Sequence, residues 1–187
     1  TAQTTPAAPP ATPQTAAPAP APVVPNPTVG GVAMDRTKTI AANLAAAPTF
    51  STFVKALTAA DLAATLAGPG PYTVFAPNDG AFTRLPPDTL AQLMKPENKA
   101  LLAKVLNYHI VQGTIDFAAL KQQIAAGNGT ATLTTLAGQP LTVTITGNQV
   151  VTLTSVNGNI SYLTIPDVRE SNGIVHVVNG VLLPKLN

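Results

Sequence analysis

The hydrophobic pattern changes its period partway along the chain, and this change sharply limits the possible folds. In the first half, apolar residues recur at helical spacing, which predicts helices over residues 39–47 and 51–60. In the second half, leucine, valine and isoleucine alternate with threonine, as in strands with one buried face. A chain with helices first and a meander of strands afterwards is typical of the α+β class. We therefore expect several helices packed on or beside a β-sandwich.

Capping residues divide the first half into short helices. Proline at a first helical turn and aspartate just before a helix both indicate where a helix starts, because they suit the unpaired N–H groups there. These signals predict helices that begin near Asp61, Pro87, Pro96 and Asp116.

The hairpin that follows residue 140 has a register that the sequence alone can test. A two-residue loop would place threonines opposite valines and mix the two faces of the sheet. A three-residue loop, Gly147-Asn148-Gln149, pairs Ile145 with Val151 and Val143 with Leu153, which keeps the apolar residues together. We predict the three-residue loop, followed by strands over residues 160–165 and 174–183.

The beginning of the chain has a different composition from the remainder. Residues 1–27 contain nine prolines and eight alanines, and no charged residue precedes Asp35. Such a segment buries too little apolar surface to offset the entropy of ordering it. We predict a disordered Pro/Ala/Thr-rich spacer over residues 1–28 and one domain over residues 29–187.

Charge and residue usage exclude several classes of function. The net charge is +2 and the Lys and Arg residues are scattered, so nucleic-acid binding is not expected. No apolar run approaches the ~20 residues of a membrane-spanning helix. The chain has no cysteine, which excludes disulfides and thiol chemistry. The sequence predicts no cofactor.

The start of the sequence suggests where the protein works. Thr1 is not preceded by Met and runs directly into the spacer, which suits a mature protein after removal of a signal peptide, although an artificial chain end is the alternative. We expect a secreted, periplasmic or cell-surface location. Asn128 and Asn159 lie in glycosylation sequons, which matter only in a eukaryotic secretory host.

Three stretches of the domain resemble conserved motifs of one family. YTVFAPNDGAFTRLP begins at Tyr72, LNYHIV contains Tyr108 and His109, and SNGIVHVVNGVLLP begins at Ser171. In order and spacing they resemble the first conserved block, the Tyr-His motif and the second conserved block of fasciclin (FAS1) domains. The resemblance covers about residues 36–186.

The resemblance implies a fold and a function. FAS1 domains have a wedge-like β-sandwich with helices at one side, and they are secreted or surface-anchored modules of adhesion and matrix contact. A subset carries lipophilic pigments such as carotenoids. This chain departs from the second block at Asn179, where the family usually has Asp, and integrin-type short motifs are not evident.

The Asn78-Asp79 pair follows a predicted strand and precedes a predicted helix. Either side chain can accept hydrogen bonds from the N–H groups at the start of the helix that contains Phe82. A carboxylate at Asp79 also suits the helix dipole. A structural cap is the favoured interpretation, and a recognition role, as proposed for this block in adhesive relatives, is the alternative.

The two histidines offer little for catalysis. By resemblance, His109, beside Tyr108, contacts the first-block loop and ties helix to strand, and its titration is a hypothetical pH switch. His176 shares a strand face with Ile174 and Val178, which favours a structural role. The two histidines and the scattered acidic residues form no metal set, and no serine lies in a nucleophile-elbow context.

Two functional hypotheses remain. The first is a non-enzymatic FAS1 module that mediates cell adhesion or protein–protein contact, with a protein or a cell-surface or matrix partner. The second is a carrier of a small lipophilic ligand such as a carotenoid, suggested by high apolar content at low charge.

Overall fold

A computed structural model describes residues 28–68 and 70–185. The predicted spacer lies outside these residues, except that Thr28 is the first residue of a strand. The described strands are β1 (Thr28–Val29), β2 (Val32–Ala33), β3 (Tyr72–Pro77), β4 (Ile110–Gln112), β5 (Thr130–Thr134), β6 (Pro140–Ile145), β7 (Val151–Thr154), β8 (Ile160–Glu170) and β9 (Gly173–Val178). The α-helices are α1 (Ile40–Ala46), α2 (Ser51–Ala59), α3 (Ala63–Ala67), α4 (Asp79–Thr83), α5 (Pro87–Leu93), α6 (Lys99–Tyr108) and α7 (Phe117–Ala126).

Seven of the strands form a sheet that bends back towards its own edge. Their order is β4-β3-β9-β8-β7-β6-β5, and every neighbouring pair is antiparallel except β3 and β9, which are parallel. The two edges meet, because Val111 bridges to Thr135 and the Leu136 N–H donates to the Ile110 carbonyl at 2.8 Å. The α+β class and the wedge-like sheet with helices beside it are confirmed.

Two apolar cores lie on opposite sides of the central strands. Helices α1 to α6 pack against one face of β3 and β9, where Val74, Val175 and Val177 are buried. Inside the bent sheet, Phe75 packs with the inward side chains of β6 and β7, such as Val143. The alternation of β3 and β9 thus places successive residues in different cores.

The helix caps agree with the predictions in most cases. Pro87 is the first residue of α5, and Asp116 caps α7 by accepting from the Ala119 N–H at 2.7 Å. The prediction for Asp61 is wrong. Its backbone has φ +58°, its side chain forms an ion pair with Lys99, and α3 starts without a side-chain cap.

The strand predictions were correct in register and less so in length. The structure confirms the three-residue loop, with Ile145 opposite Val151 and Val143 opposite Leu153. The strand predicted over residues 160–165 continues to residue 170 through two register shifts. The final strand is shorter than predicted, because regular strand geometry ends at Val178 and the buried residues Val181 and Leu182 belong to an irregular segment.

Candidate functional site

Asn78 and Asp79 bind the starts of two different helices. The Asn78 side chain accepts from the Ala81 N–H at 2.8 Å and so caps α4. The Asp79 carboxylate instead reaches α2, where it accepts from the Thr52 N–H at 2.9 Å and the Ser51 hydroxyl at 2.8 Å. Burial raises the pKa of Asp79, but these hydrogen bonds outweigh burial and lower it overall. Asp79 therefore joins α4 to α2.

Tyr108 connects the end of α6 to two parts of the bent sheet. Its hydroxyl donates to the Pro140 carbonyl at 2.8 Å and accepts from the Val156 N–H at 3.2 Å. The ring is fully buried in the core inside the sheet, and this burial raises the pKa of the phenol. The side chain thus fixes α6 against β6 and the β7–β8 turn.

His109 does not contact the Asn78-Asp79 loop through its side chain, which corrects the expectation from the resemblance. Nδ1 is 2.7 Å from the Val105 carbonyl, and Nε2 is 3.0 Å from the Leu182 N–H. The ring is therefore a neutral tautomer that donates from Nδ1 and accepts at Nε2. Burial lowers the pKa of His109 to about 4. The link to the first block runs through the backbone, where Phe75 N–H donates to the His109 carbonyl at 2.8 Å.

His176 occupies the middle of β9 and faces the interior of the bent sheet. Its ring stacks on Phe75 with centroids 5.5 Å apart. Nε2 is 2.7 Å from the Ile115 carbonyl, and Nδ1 accepts from the Asp167 N–H at 3.2 Å. Burial lowers its pKa, against an opposing effect of the hydrogen bond to Ile115 and the nearby carboxylates. Both ring nitrogens are thus bound to backbone groups.

Asn179 extends the pairing of β8 and β9 beyond the last strand residue. Its side-chain oxygen accepts from the Tyr162 N–H at 3.0 Å, while its own N–H donates to the Tyr162 carbonyl at 3.1 Å. Asn78 follows β3 at the equivalent position, and its N–H donates to the Val178 carbonyl at 3.2 Å. The two asparagines are therefore neighbours at the carboxyl ends of the parallel pair.

The six motif residues do not converge on a reaction centre. They are held by different backbone segments, and each side chain has at least one hydrogen bond to the main chain. Within residues 28–68 and 70–185, no three His, Asp or Glu side chains are arranged to hold a metal ion. The arrangement braces the junction of helices and sheet.

A second polar cluster was not predicted from the sequence. The buried Asn43 side chain donates to the Asp35 carbonyl at 2.6 Å and to the Glu170 carboxyl group. Burial, together with the nearby charge of Asp35, raises the pKa of Glu170 to about 9. Asn172 accepts from the Ile40 N–H at 3.0 Å and also donates to carbonyls that end α3. The sequence signal was only a turn-forming Ser-Asn-Gly triplet after a lone glutamate.

An open cleft of about 360 Å³ lies beside this cluster. Its lining includes Arg36, Arg169, Glu170 and Asn172, so its surface is polar. Arg169 forms an ion pair with Asp116 across 3.3 Å at the start of α7.

The sequence model of the fasciclin domain matches residues 48–184. Protein sll1483 of Synechocystis sp. is 39% identical over 158 residues, which are 84% of this chain and 80% of that protein. The immunogenic protein MPB70 of Mycobacterium bovis is 35% identical over 115 residues, 62% of this chain and 51% of its own length.

A solved FAS1 domain pair from the insect cell adhesion molecule Fasciclin I has a similar fold, with a TM-score of 0.70 at 20% identity. The match covers 82% of this chain and 52% of the insect chain, so the protein spans about half of that pair. The chain belongs to the fasciclin domain family. Among the helices described here, none has the length and apolar character needed to span a membrane.

Proposed function

We propose that this protein is a non-enzymatic module that works outside the cytoplasm, secreted, periplasmic or on the cell surface, and mediates cell adhesion or protein–protein contact. The observation that carries the proposal is that the motif side chains form hydrogen bonds within the fold. Both histidines are buried with both ring nitrogens hydrogen-bonded to backbone, and Asp79 caps a helix. Groups committed in this way hold the fold and leave the outer surface to make contacts.

The comparisons support the same proposal. The family match covers most of the domain, and the structural neighbour comes from a cell adhesion molecule. The composition of residues 1–28, rich in Pro and Ala and free of charge, suits a spacer that holds such a module away from its neighbours.

Attachment of protein-coated beads tests the adhesive function. Beads that carry the full chain are expected to attach to cell envelopes or extracellular matrix of the source organism. Beads with an equal mass of a peptide of residues 1–28 serve as the control. Equal attachment of the two bead types would contradict the proposal.

The lipophilic carrier is not favoured by the geometry. The cleft is lined by Arg36, Arg169 and Glu170, whose polar groups suit an apolar ligand poorly. The two cores are filled by their own side chains, such as Phe53 and Phe75, which are fully buried. Mixing the protein with a carotenoid is expected to produce no co-eluting visible band.

A further inference from the structure

One lobe of the protein carries no charged side chain. Between Lys121 and Asp167 the sequence contains no Asp, Glu, Lys, Arg or His, although this stretch forms β5, β6, β7 and the start of β8. The same stretch contains ten threonines. Outer surfaces of proteins are normally rich in charged residues, so a lobe whose polar side chains are mainly uncharged threonines is unusual.

The strand register aligns many of these threonines in rows. One row runs across four strands as Thr130, Thr144, Thr152 and Tyr162, because each is the direct partner of the next. The neighbouring row, two residues along each strand, consists of Thr132, Thr142, Thr154 and Ile160. We call these eight residues the threonine face.

The threonine face points away from the core. The residues that alternate with it are buried inside the bent sheet, among them Leu133, Val143 and Leu153. Successive side chains of a strand point to opposite sides, so the threonines lie on the outside. Tyr162 is 42% exposed and Ile160 is 53% exposed, which are high values for large apolar side chains.

One hydroxyl on this face lacks a partner. Thr152 lies in the centre of its row, is 7% exposed, and its Oγ1 has no hydrogen-bond partner among the described residues. A buried hydroxyl without a partner costs about 1–3 kcal/mol in general. Its direct partners Thr144 and Tyr162 are both more accessible than Thr152 itself.

We propose that the threonine face binds an uncharged polysaccharide. Its hydroxyls both donate and accept hydrogen bonds, as the hydroxyls of a sugar do. They are spaced about 4.8 Å apart across strands and about 6.8 Å along them, so several successive sugar units can be contacted at once. Tyr162 adds an exposed aromatic ring that can pack on the apolar face of a sugar ring and keep its hydroxyl in water.

Charge and shape favour this partner over others. Polyanions and anionic lipid surfaces are bound through Lys and Arg, which the threonine face lacks. A second copy of the chain would meet hydroxyls, whereas homodimer interfaces are about 65% apolar. A rigid crystalline surface would need coplanar rows, but neighbouring strands rotate by about 20–25°. A flexible polymer can follow that twist.

This inference gives the proposed adhesion a partner class and in that sense rests on it. The test is retention of the purified full chain on amorphous cellulose, starch and chitin, with alginate as a polyanion for comparison. Retention on at least one of the three uncharged polymers is expected. It should persist at high salt, because no ion pair contributes.

Two variants identify the face. Thr142→Val/Thr144→Val/Thr154→Val keeps the side-chain shape and β-propensity but removes three hydroxyls, and Tyr162→Ala removes the ring. Each is expected to weaken retention about tenfold, as the loss of several modest hydrogen bonds or one aromatic contact would. The matched control, Thr58→Val/Thr83→Val/Thr89→Val, removes three hydroxyls from helices and should bind normally. Far-ultraviolet circular dichroism verifies that each variant is folded.

The outcomes separate this inference from the adhesive function. No retention on any of the three uncharged polymers, equal retention of the triple variant, or salt-sensitive retention on alginate alone would overturn it. If beads coated with the triple variant still attach to matrix, adhesion stands and the threonine face is not its cause. If wild-type beads fail to attach while the protein is retained on a polysaccharide, the sugar site stands without adhesion.

Discussion

Among the single residues, His109 stays neutral because its ring is completely buried and both ring nitrogens form hydrogen bonds to the backbone. Its pKa in the folded protein is about 4, below the usual value of 6.5. A base with a lowered pKa in the folded state gives full stability above its unfolded pKa, and the protein loses that stability as the pH falls towards the folded value. The sensitive window for His109 is therefore pH 6.5 to 4.

Replacement His109→Gln should flatten this acid response. Wild type is expected to lose about 2 kcal/mol more than the variant between pH 7 and pH 5, because only wild type must then bury a group that tends to protonate. The variant should be less stable at pH 7, since glutamine does not reproduce the ring. Urea unfolding at pH 5, 6, 7 and 8 measures both effects. Parallel pH profiles for the two proteins would contradict the assignment.

Asp79→Ala removes the acceptor for Ser51 and Thr52 and should destabilise the protein by about 1–2 kcal/mol at pH 7. Because the pKa of Asp79 is lowered, its contribution exists above the unfolded pKa of 3.8 and disappears as the pH falls through the folded value. The difference from wild type should therefore shrink below about pH 4. Asp88→Ala, in the first turn of exposed α5, is the control and should change stability by less than about 0.5 kcal/mol.

The sequence predicted the kind of contact at these residues better than the partner. A polar residue between a strand and a helix is a local signal, and Asn78 caps α4 as that signal indicates. Asp79 instead caps α2, which begins 28 residues earlier, and no local pattern reports such a distance. The same holds for His109, whose partner Leu182 is 73 residues away.

At the scale of elements, the β6–β7 hairpin contains one residue in an unfavourable backbone conformation. Gln149 ends the three-residue loop with φ +58°, in the left-handed region where glycine is preferred. Gln149→Gly should therefore stabilise the protein by about 0.5–1 kcal/mol, net of the greater entropy of an unfolded glycine.

Asn148→Gly, in the same loop at a residue whose φ is not positive, provides the control. It should destabilise by about 0.5–1 kcal/mol, because there glycine adds only entropy to the unfolded chain. Thermal unfolding of both variants compares the two signs directly. Destabilisation by Gln149→Gly would contradict the prediction, because it would mean that the glutamine side chain stabilises the fold by more than the left-handed backbone costs.

The hairpin and the last strand show which features of an element the sequence determines. Strict alternation of apolar residues and threonines leaves one register that keeps the apolar residues on one face and the threonines on the other. The structure has that register. The apolar run from Ile174 onwards has no such internal marker for its end. The regular strand ends at Val178. At Asn179 the backbone N–H still donates to Tyr162, but the side-chain oxygen of Asn179 accepts from the Tyr162 N–H in place of the backbone carbonyl.

At the scale of the whole molecule, Glu170 joins the N-terminal segment to the sheet while remaining protonated near neutral pH. Its pKa is raised to about 9, so the protein loses stability as the pH rises from the unfolded value towards 9. Glu170→Gln keeps an oxygen that accepts from Asn43 and cannot ionise. The variant should have the higher Tm at pH 8 and a flatter Tm profile between pH 5 and pH 9.

The control for this prediction is Glu97→Gln, in the exposed turn before α6. It should leave the profile of wild type unchanged. A Glu170→Gln protein whose Tm falls in parallel with wild type between pH 5 and pH 9 would contradict the role of Glu170.

The class of fold followed from the two hydrophobic periods, but the closure of the sheet did not. Closure depends on the contact of β4 with the residues after β5, through Val111 and Thr135, and both positions look like ordinary strand residues in the sequence. The cluster of Asn43 and Glu170 joins residues 127 apart, so its existence also became visible only in three dimensions.

The central position of β9 affects how the chain can fold as it leaves the ribosome. β9 pairs with β3 on one side and β8 on the other, and Tyr72 meets Gly173 at the start of the parallel pair. A Cβ at Gly173 would overlap the Tyr72 carbonyl oxygen, so this approach needs glycine. Until β9 has been synthesised, no strand lies between β3 and β8, and neither core is enclosed. Folding of this sheet is then a late, cooperative event with a high contact order, and the sheet stays open until β9 has emerged.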